Sequence, residues 1–333
     1  MNDAAMIGEK AQRPRIGLVL GDPAGIGAEL AARLLADPRT HDAAAVQVIG
    51  DARLLAAGAK IARVALPAVD IDERANADPA ALPLGRVSAE GGRAALDNFR
   101  HALAHARDGA LDAIVFTPFN KQALRLGGMS FDDELRFAAD FLGHTGPHGE
   151  FNVLDQLWNA RVTSHLPLAD VAKRLSVPRI VEAIALTDHA MRAAGYSAPR
   201  IAVAALNPHA GDGGNYGHEE IEVIAPAVAA ARAQGIETSG PYPADTVWIR
   251  ARAGQFDAVV TMYHDQGQIA IKLLGFERGV TVLGGLPIPI TTPAHGTAYD
   301  IAGKGIANDR ALKRAFEIAV DMGRARCTAA IRE

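Results

Sequence analysis

The chain has 333 residues, is 49% hydrophobic and 22% charged, and carries a formal net charge of −4, a balance normal for a soluble globular protein that buries its own core. That charge gives no general attraction to nucleic acid or to an anionic membrane, so an anionic ligand must be met by a few local cations. A single cysteine, Cys327, excludes an intramolecular disulfide and a cysteine-based metal centre, and no apolar run is long enough to span a membrane.

In chain order, Met1–Pro14 is polar and mixed in charge, without an apolar signal core, so a cytoplasmic location is expected. Arg15–Leu20 reads as a strand, followed by a Gly/Pro turn and a helix from about Gly27 to Leu35. Ala45–Gly50 reads as the second strand, with Asp51 placed to cap the next helix. Further strands are expected at Asp112–Thr117, Arg161–Ser164, Arg200–Leu206, Asp257–Tyr263 and Val280–Leu283. Helices are expected at about Gly92–Ala106, Val177–Ala194, Glu219–Gln234 and Asp309–Met322. This alternation argues for an α/β protein with a mainly parallel sheet covered by helices on both faces. No repeat, low-complexity tract or linker marks a boundary, so any division into two domains must interleave.

In such sheets ligands collect where strands end, and the chemically loaded segments sit there. Gly21–Gly27, Thr117–Lys121, His165, Asn207–Gly214 and His264–Gly267 each follow an expected strand, which points to one active site. Three neutral imidazoles, His165, His209 and His264, suit a divalent metal and leave positions open for substrate. Histidines past strands also serve as caps or core donors, and no His-Glu-x-x-His spacing strengthens the case. Lys121 and Lys272 could hold a carboxylate or phosphate, or transfer a proton; either could equally be a solvated helix lysine. Asp245 could be a general base, a partner of the metal shell or an N-cap.

One run, His295-Gly-Thr-Ala-Tyr-Asp-Ile-Ala-Gly-Lys-Gly-Ile-Ala-Asn-Asp309, resembles the adenosine-binding loop of the isopropylmalate and isocitrate dehydrogenases, which bind NAD without a Rossmann fingerprint. With it, in order, stand Gly21-Asp-Pro-Ala-Gly-Ile-Gly27, Gly143-His-Thr145, His165-Leu-Pro-Leu, Leu206-Asn-Pro-His-Ala-Gly211, Pro243-Ala-Asp-Thr246 and Tyr263-His-Asp-Gln-Gly267. Together they resemble the 4-hydroxythreonine-4-phosphate dehydrogenase (PdxA) family across nearly the whole chain.

The resemblance implies an isocitrate/isopropylmalate dehydrogenase-like fold of two α/β/α domains around an interdomain cleft. The NAD-binding domain would comprise residues 1–128 and 280–333, and the metal, substrate and dimerisation domain residues 129–279. It implies a homodimer with a composite active site, acting on a small hydroxy acid. A divalent metal (Zn, Mg, Mn or Co) would be held by His165, His209 and His264, with ligands drawn from both subunits. NAD would lie along His295, Gly296, Thr297, Ala298, Asp300 and Asn308, and the Asp300 carboxylate would repel the 2′-phosphate of NADP.

His144, Thr145 and Lys272 match the family's substrate-holding residues, while Thr281 stands at its asparagine position and Ile290 at its arginine position. Isoleucine in place of that arginine removes a bidentate anion clamp and installs an apolar wall, which favours a non-phosphorylated substrate. The expectation is therefore a carboxylated cis-dihydrodiol of the terephthalate type, or a related non-phosphorylated hydroxy acid, oxidised with loss of CO2, with Lys121, Asp245 and Lys272 as candidates for proton handling. The alternative is 4-hydroxythreonine-4-phosphate in pyridoxal phosphate synthesis. More remote are an acyl-phosphate transferase-like enzyme and a non-catalytic binding protein.

Overall fold

The computed structural model describes residues 13–330, and the polar stretch before them lies outside the described residues. β1 (Arg15–Val19) runs through a buried turn into α1 (Gly27–Leu35), rich in Ala and Leu, with Glu29 in the first turn where a carboxylate suits the helix dipole. α2 (Pro38–Ala43), capped by Asp37, returns the chain to β2 (Ala45–Gly50), parallel to β1. The Asp51 carboxylate accepts from the Arg53 amide and caps α3 (Ala52–Ala62), as expected. β3 (Asp70–Glu73) forms the sheet edge, and α4 (Ala89–Arg107) crosses back to β4 (Ala113–Phe116) on the other side of β1.

Next come α5 (Lys121–Leu126), α6 (Glu134–Phe141), the hairpin of β5 (Gly149–Leu154) and β6 (Leu157–Arg161), α7 (Leu168–Arg174) and α8 (Val177–Ala193). β7 (Ile201–Ala204) is followed by a π turn at Glu220–Ile224 that continues into α9 (Ala225–Ala233), then β8 (Thr238–Tyr242), α10 (Val247–Arg252) and β9 (Ala258–Thr261). α11 (His264–Gly275) leads to the hairpin β10 (Val280–Gly284) and β11 (Ile290–Pro293), and then to α12 (Arg310–Ala330).

The strands form one eleven-stranded sheet in the order β3-β2-β1-β4-β11-β10-β5-β6-β9-β7-β8. The α/β class and the mainly parallel pairing are as expected. At the centre, however, β11–β10, β10–β5 and β5–β6 are all antiparallel. Three reversals in succession leave the β6-β9-β7-β8 group running opposite to the β3-β2-β1-β4-β11 group. The idea that all the loaded segments share one carboxyl edge is therefore corrected. Gly21–Gly27, Lys121 and the 295–308 loop leave one edge, while His165, His209 and His264 leave the other.

The strand expected at Arg161–Ser164 instead spans Leu157–Arg161, because Trp158 and Ala160 pack into the core while Ser164 is exposed. The hairpin turn that sets this register is Asp155-Gln156, with Asp155 at φ 53, a pair without the glycine that usually announces such a turn.

Candidate active site

The 295–308 loop is clasped against the first turn and α1. The Ile26 amide donates to the Thr297 carbonyl at 3.0 Å, and the Tyr299 hydroxyl donates to Asp22 Oδ2 at 2.5 Å. Glu29 Oε1 accepts from the Ala307 amide at 3.0 Å and from Arg33, whose guanidinium also donates to the Gly305 carbonyl at 2.8 Å. Burial pushes the Asp22 carboxyl up and the Tyr299 hydrogen bond opposes it; burial pushes the Tyr299 hydroxyl up too, so it stays a donor. A Cβ at Gly25 would lie 2.8 Å from Thr297 Cβ and 2.9 Å from its carbonyl oxygen, so a side chain there must displace the loop.

Along that loop Thr297 is buried, His295 and Ala298 are half-buried, and Gly296, Asp300 and Asn308 are exposed. Burial holds the His295 imidazole below its usual range, so the ring is neutral, with Nδ1 3.0 Å from the Gly296 carbonyl oxygen. Asn308 also has a structural duty, since its Oδ1 accepts from the Arg310 amide at the start of α12.

At the other edge, His264 opens α11 with Nδ1 2.7 Å from Asp265 Oδ1, an arrangement that orients the ring and leaves Nε2 free to ligate. Its centroid lies 5.7 Å from that of His165. His165 at φ 51 and His209 at φ 54 both sit in the left-handed region, which side chains enter at a cost and which clusters at functional sites. His209 stands beside Tyr216, ring centroids 6.1 Å apart. Within one chain the structure pairs His165 with His264 and does not add His209 to them. Among the described residues, the three groups whose ligand atoms all lie within 4.8 Å of one another are Asp72, His101 and His105 instead.

Of the substrate-holding candidates, Thr145 and Lys272 are exposed, and Nζ of Lys272 lies 5.7 Å from the Phe276 ring. His144 is half-buried, with an Nε2 shielded from water that has no hydrogen-bond partner among the described residues. Thr281 Oγ1 accepts a long bond from Asn152 at 3.5 Å. Ile290 is not a cleft wall: it is 0% exposed, packed in the core with Val19, Phe116 and Leu283. Its place on a strand paired on both sides explains the aliphatic residue without reference to any ligand.

Sequence reasoning missed the cations next to His165. A cavity of about 260 Å³ is lined by His165, Arg136, Arg161 and Arg179, with Glu150 and Asp133. The Arg161 side chain is 4% exposed and is held by Glu150 at 2.7 Å and Asn152 at 2.7 Å. Desolvation lowers its pKa, opposed by the Glu150 charge. Only the tertiary pairing of β5 with β6 brings these groups together, so no sequence motif announces them.

Lys121 and Asp245 are both exposed. The N-cap position of α10 belongs to Thr246, so Asp245 is not that cap. Near Lys121 the half-buried Glu134 is a further candidate: burial raises its carboxyl above the usual range, and the Lys121 charge pulls it partway back.

This architecture is that of an α/β dehydrogenase. A solved 4-hydroxythreonine-4-phosphate dehydrogenase from Klebsiella pneumoniae superposes with a TM-score of 0.80 at 36% identity, covering 95% of this chain and 100% of that one. A terephthalate 1,2-cis-dihydrodiol dehydrogenase from Burkholderia xenovorans LB400 gives 0.66 at 27% identity, covering 92% and 98%. The model of the pyridoxal phosphate biosynthetic protein PdxA matches residues 42–319, and the chain belongs to the PdxA family. A Rhizobium meliloti (strain 1021) protein, provisionally named 4-hydroxythreonine-4-phosphate dehydrogenase 2, is 52% identical over 97% of this chain and 97% of its own length. The D-threonate 4-phosphate dehydrogenase of Cupriavidus necator (strain ATCC 17699) is 40% identical over 91% of this chain and 95% of its own.

Proposed function

We propose that this chain is an NAD- and divalent-metal-dependent dehydrogenase of a 4-phosphorylated hydroxy acid, of the 4-hydroxythreonine-4-phosphate or D-threonate 4-phosphate type, with loss of the carboxyl group as CO2. The observation that carries this reading is similarity along the whole chain to relatives so named, at 52% and 40% identity, against 27% for the dihydrodiol enzyme. It replaces the cis-dihydrodiol expected from the sequence. That expectation leaned on Ile290 as an apolar wall, and Ile290 is a core residue. Of the three arginines lining the cavity beside His165, Arg136 and Arg161 are paired with carboxylates, and the third, Arg179, supports an anionic substrate instead.

Residues up to 128 and from 280 onward form the NAD-binding part, and 129–279 the metal, substrate and dimerisation part, a division supported by the grouping of their strands in the sheet. The imidazole donor set, two of whose members sit in left-handed backbone conformations, fits a divalent ion: His165 and His264 from one chain would hold it, with His209 supplied by the partner. Exposed apolar side chains support a homodimer, Leu168 at 68%, Ile249 at 68%, Ile269 at 59% and Leu273 at 83%. The open strip at Gly296 and Asp300 beside the rigid Thr297 fits the adenosine of NAD, with the Asp300 carboxylate disfavouring NADP.

When bound, the metal and the nicotinamide supply Lewis acidity at the substrate hydroxyl and a hydride acceptor. The chain's own residues then position and protonate. His144 Nε2, Thr145 and Lys272 hold the acid and its phosphate, and Asp265 fixes the tautomer of His264. Lys121, Asp245 and Lys272 are the groups for proton transfer from the carbinol and to the carbon that CO2 leaves. A cytoplasmic location suits a reaction that draws on NAD.

The test is NADH production by metal-reconstituted protein on 4-hydroxythreonine-4-phosphate, D-threonate 4-phosphate and the terephthalate cis-dihydrodiol. Turnover of either phosphate, lost with His209→Ala in a folded protein, is the expected result. Turnover of the diol alone overturns the substrate assignment.

A further inference from the structure

We infer that Asp72, His101 and His105 form a second transition-metal site, remote in the sheet from the histidines discussed above, that clamps the edge strand β3 to α4. His101 and His105 lie four residues apart on α4 and so share one face, which packs over Asp72 on β3. His101 Nε2 is 2.7 Å and His105 Nδ1 is 3.6 Å from the same oxygen, Asp72 Oδ2. Ligand atoms around a tetrahedral zinc stand about 3.4 Å apart, given metal–ligand bonds of about 2.1 Å. The two distances bracket that value, so small side-chain shifts admit an ion.

A second observation points the same way. His105 Nδ1 is shielded from water and has no hydrogen-bond partner among the described residues. A ring nitrogen shielded from water, without a hydrogen bond and 3.6 Å from a carboxylate oxygen, is satisfied by a metal ion bridging the two. The two rings, with centroids 4.2 Å apart, are held together on one side of the carboxylate. Two imidazoles and one carboxylate select zinc, cobalt, nickel or copper over magnesium or calcium, and leave a coordination position for water.

The clamp has a mechanical reason in the fold. β3 has four residues, pairs on one side only, and has no buried position, so little apolar burial retains it. A metal tie from its third residue to α4 supplies what the strand's own side chains do not.

The site can be tested on the full chain, stripped of metal and titrated with Zn2+ alone, and in parallel with Mg2+. Wild type is expected to bind one more equivalent of Zn2+ per chain than His105→Gln, with that equivalent weakened about 100-fold or more in the variant. His264→Ala should keep this equivalent, which separates it from the site proposed for catalysis. Zn2+ should raise the thermal midpoint of the wild type and of His264→Ala more than that of His105→Gln. If His105→Gln fails to fold, Asp72→Asn takes its place under the same readouts. Equal Zn2+ stoichiometry and equal affinity in wild type and variant would overturn the inference, as would competition by Mg2+ at equal concentration.

Discussion

Asp51 stands where β2 ends and α3 begins, fully buried, and its carboxylate accepts from the Arg53 guanidinium and from the amides of Arg53 and Ala77. The Arg53 hydrogen bonds and those two amides outweigh burial and hold its carboxyl at about 2, below the ordinary 3.8. Arg53 itself is half exposed, so solvent screens much of the ion pair, and the cap and the Ala77 bond carry the larger share. Asp51→Ala should therefore cost about 2 kcal/mol of stability near neutral pH. Because the folded value lies below the unfolded one, the contribution is complete above about pH 4 and is lost as pH falls toward about 2. Denaturant unfolding of both proteins across that range checks it: the gap must close on acidification, and a constant gap would mean that the carboxylate charge is irrelevant. At the proposed metal ligands the scale is geometric instead. His165 and His209 hold left-handed backbone conformations, which side chains enter at a cost.

At the level of elements, the 295–308 loop and α1 behave as one unit, joined by Tyr299 to Asp22, by Ala307 and Arg33 to Glu29, and by Ile26 to Thr297. At Gly25 the two surfaces leave no room for a side chain, with a would-be Cβ 2.8 Å from Thr297. Gly25→Ala should push the loop outward by a fraction of an ångström and raise the KM for NAD about tenfold, with a much smaller change in the KM for substrate. Initial-rate kinetics followed by NADH formation read both constants. An unchanged KM for NAD in this variant would detach the loop from cofactor binding. The strands β1, β2, β4, β7, β9 and β10 and the helices α1, α3, α4, α8, α9 and α12 were readable beforehand, because buried parallel strands such as Ala113–Phe116 are continuous apolar runs and the longer helices carry clear periodicity. The β5–β6 hairpin and α11 were not: one turns on Asp155-Gln156, and the other begins with the polar run His264-Asp-Gln-Gly267.

Across the whole molecule, the central antiparallel pairings turn one strand group against the other, so the clasped loop and the histidine pair leave opposite edges of a single sheet. The proposed metal site, completed by His209 of a second chain, yields a specific expectation. Mixing His165→Ala with His209→Ala subunits after dissociation should restore activity to about a quarter of wild type, since half of randomly formed dimers carry one intact site of two. Each variant alone should be inactive. No recovery on mixing, with heterodimers demonstrated, would place all three ligands in one chain.

The sequence by itself determined the class of fold, the family and the identity of the loop residues, because these rest on local patterns: apolar periodicity, caps, and glycines at tight turns. It could not determine direction and burial across the sheet, which depend on which strands become neighbours. Hence Ile290 read as part of a substrate wall and proved to be core, while Arg161, distant in sequence from every recognised motif except His165, proved to line the cavity beside it. The Asp72, His101 and His105 group was likewise invisible in one dimension. A helix face and an edge strand must pack before three separated side chains can share one point in space.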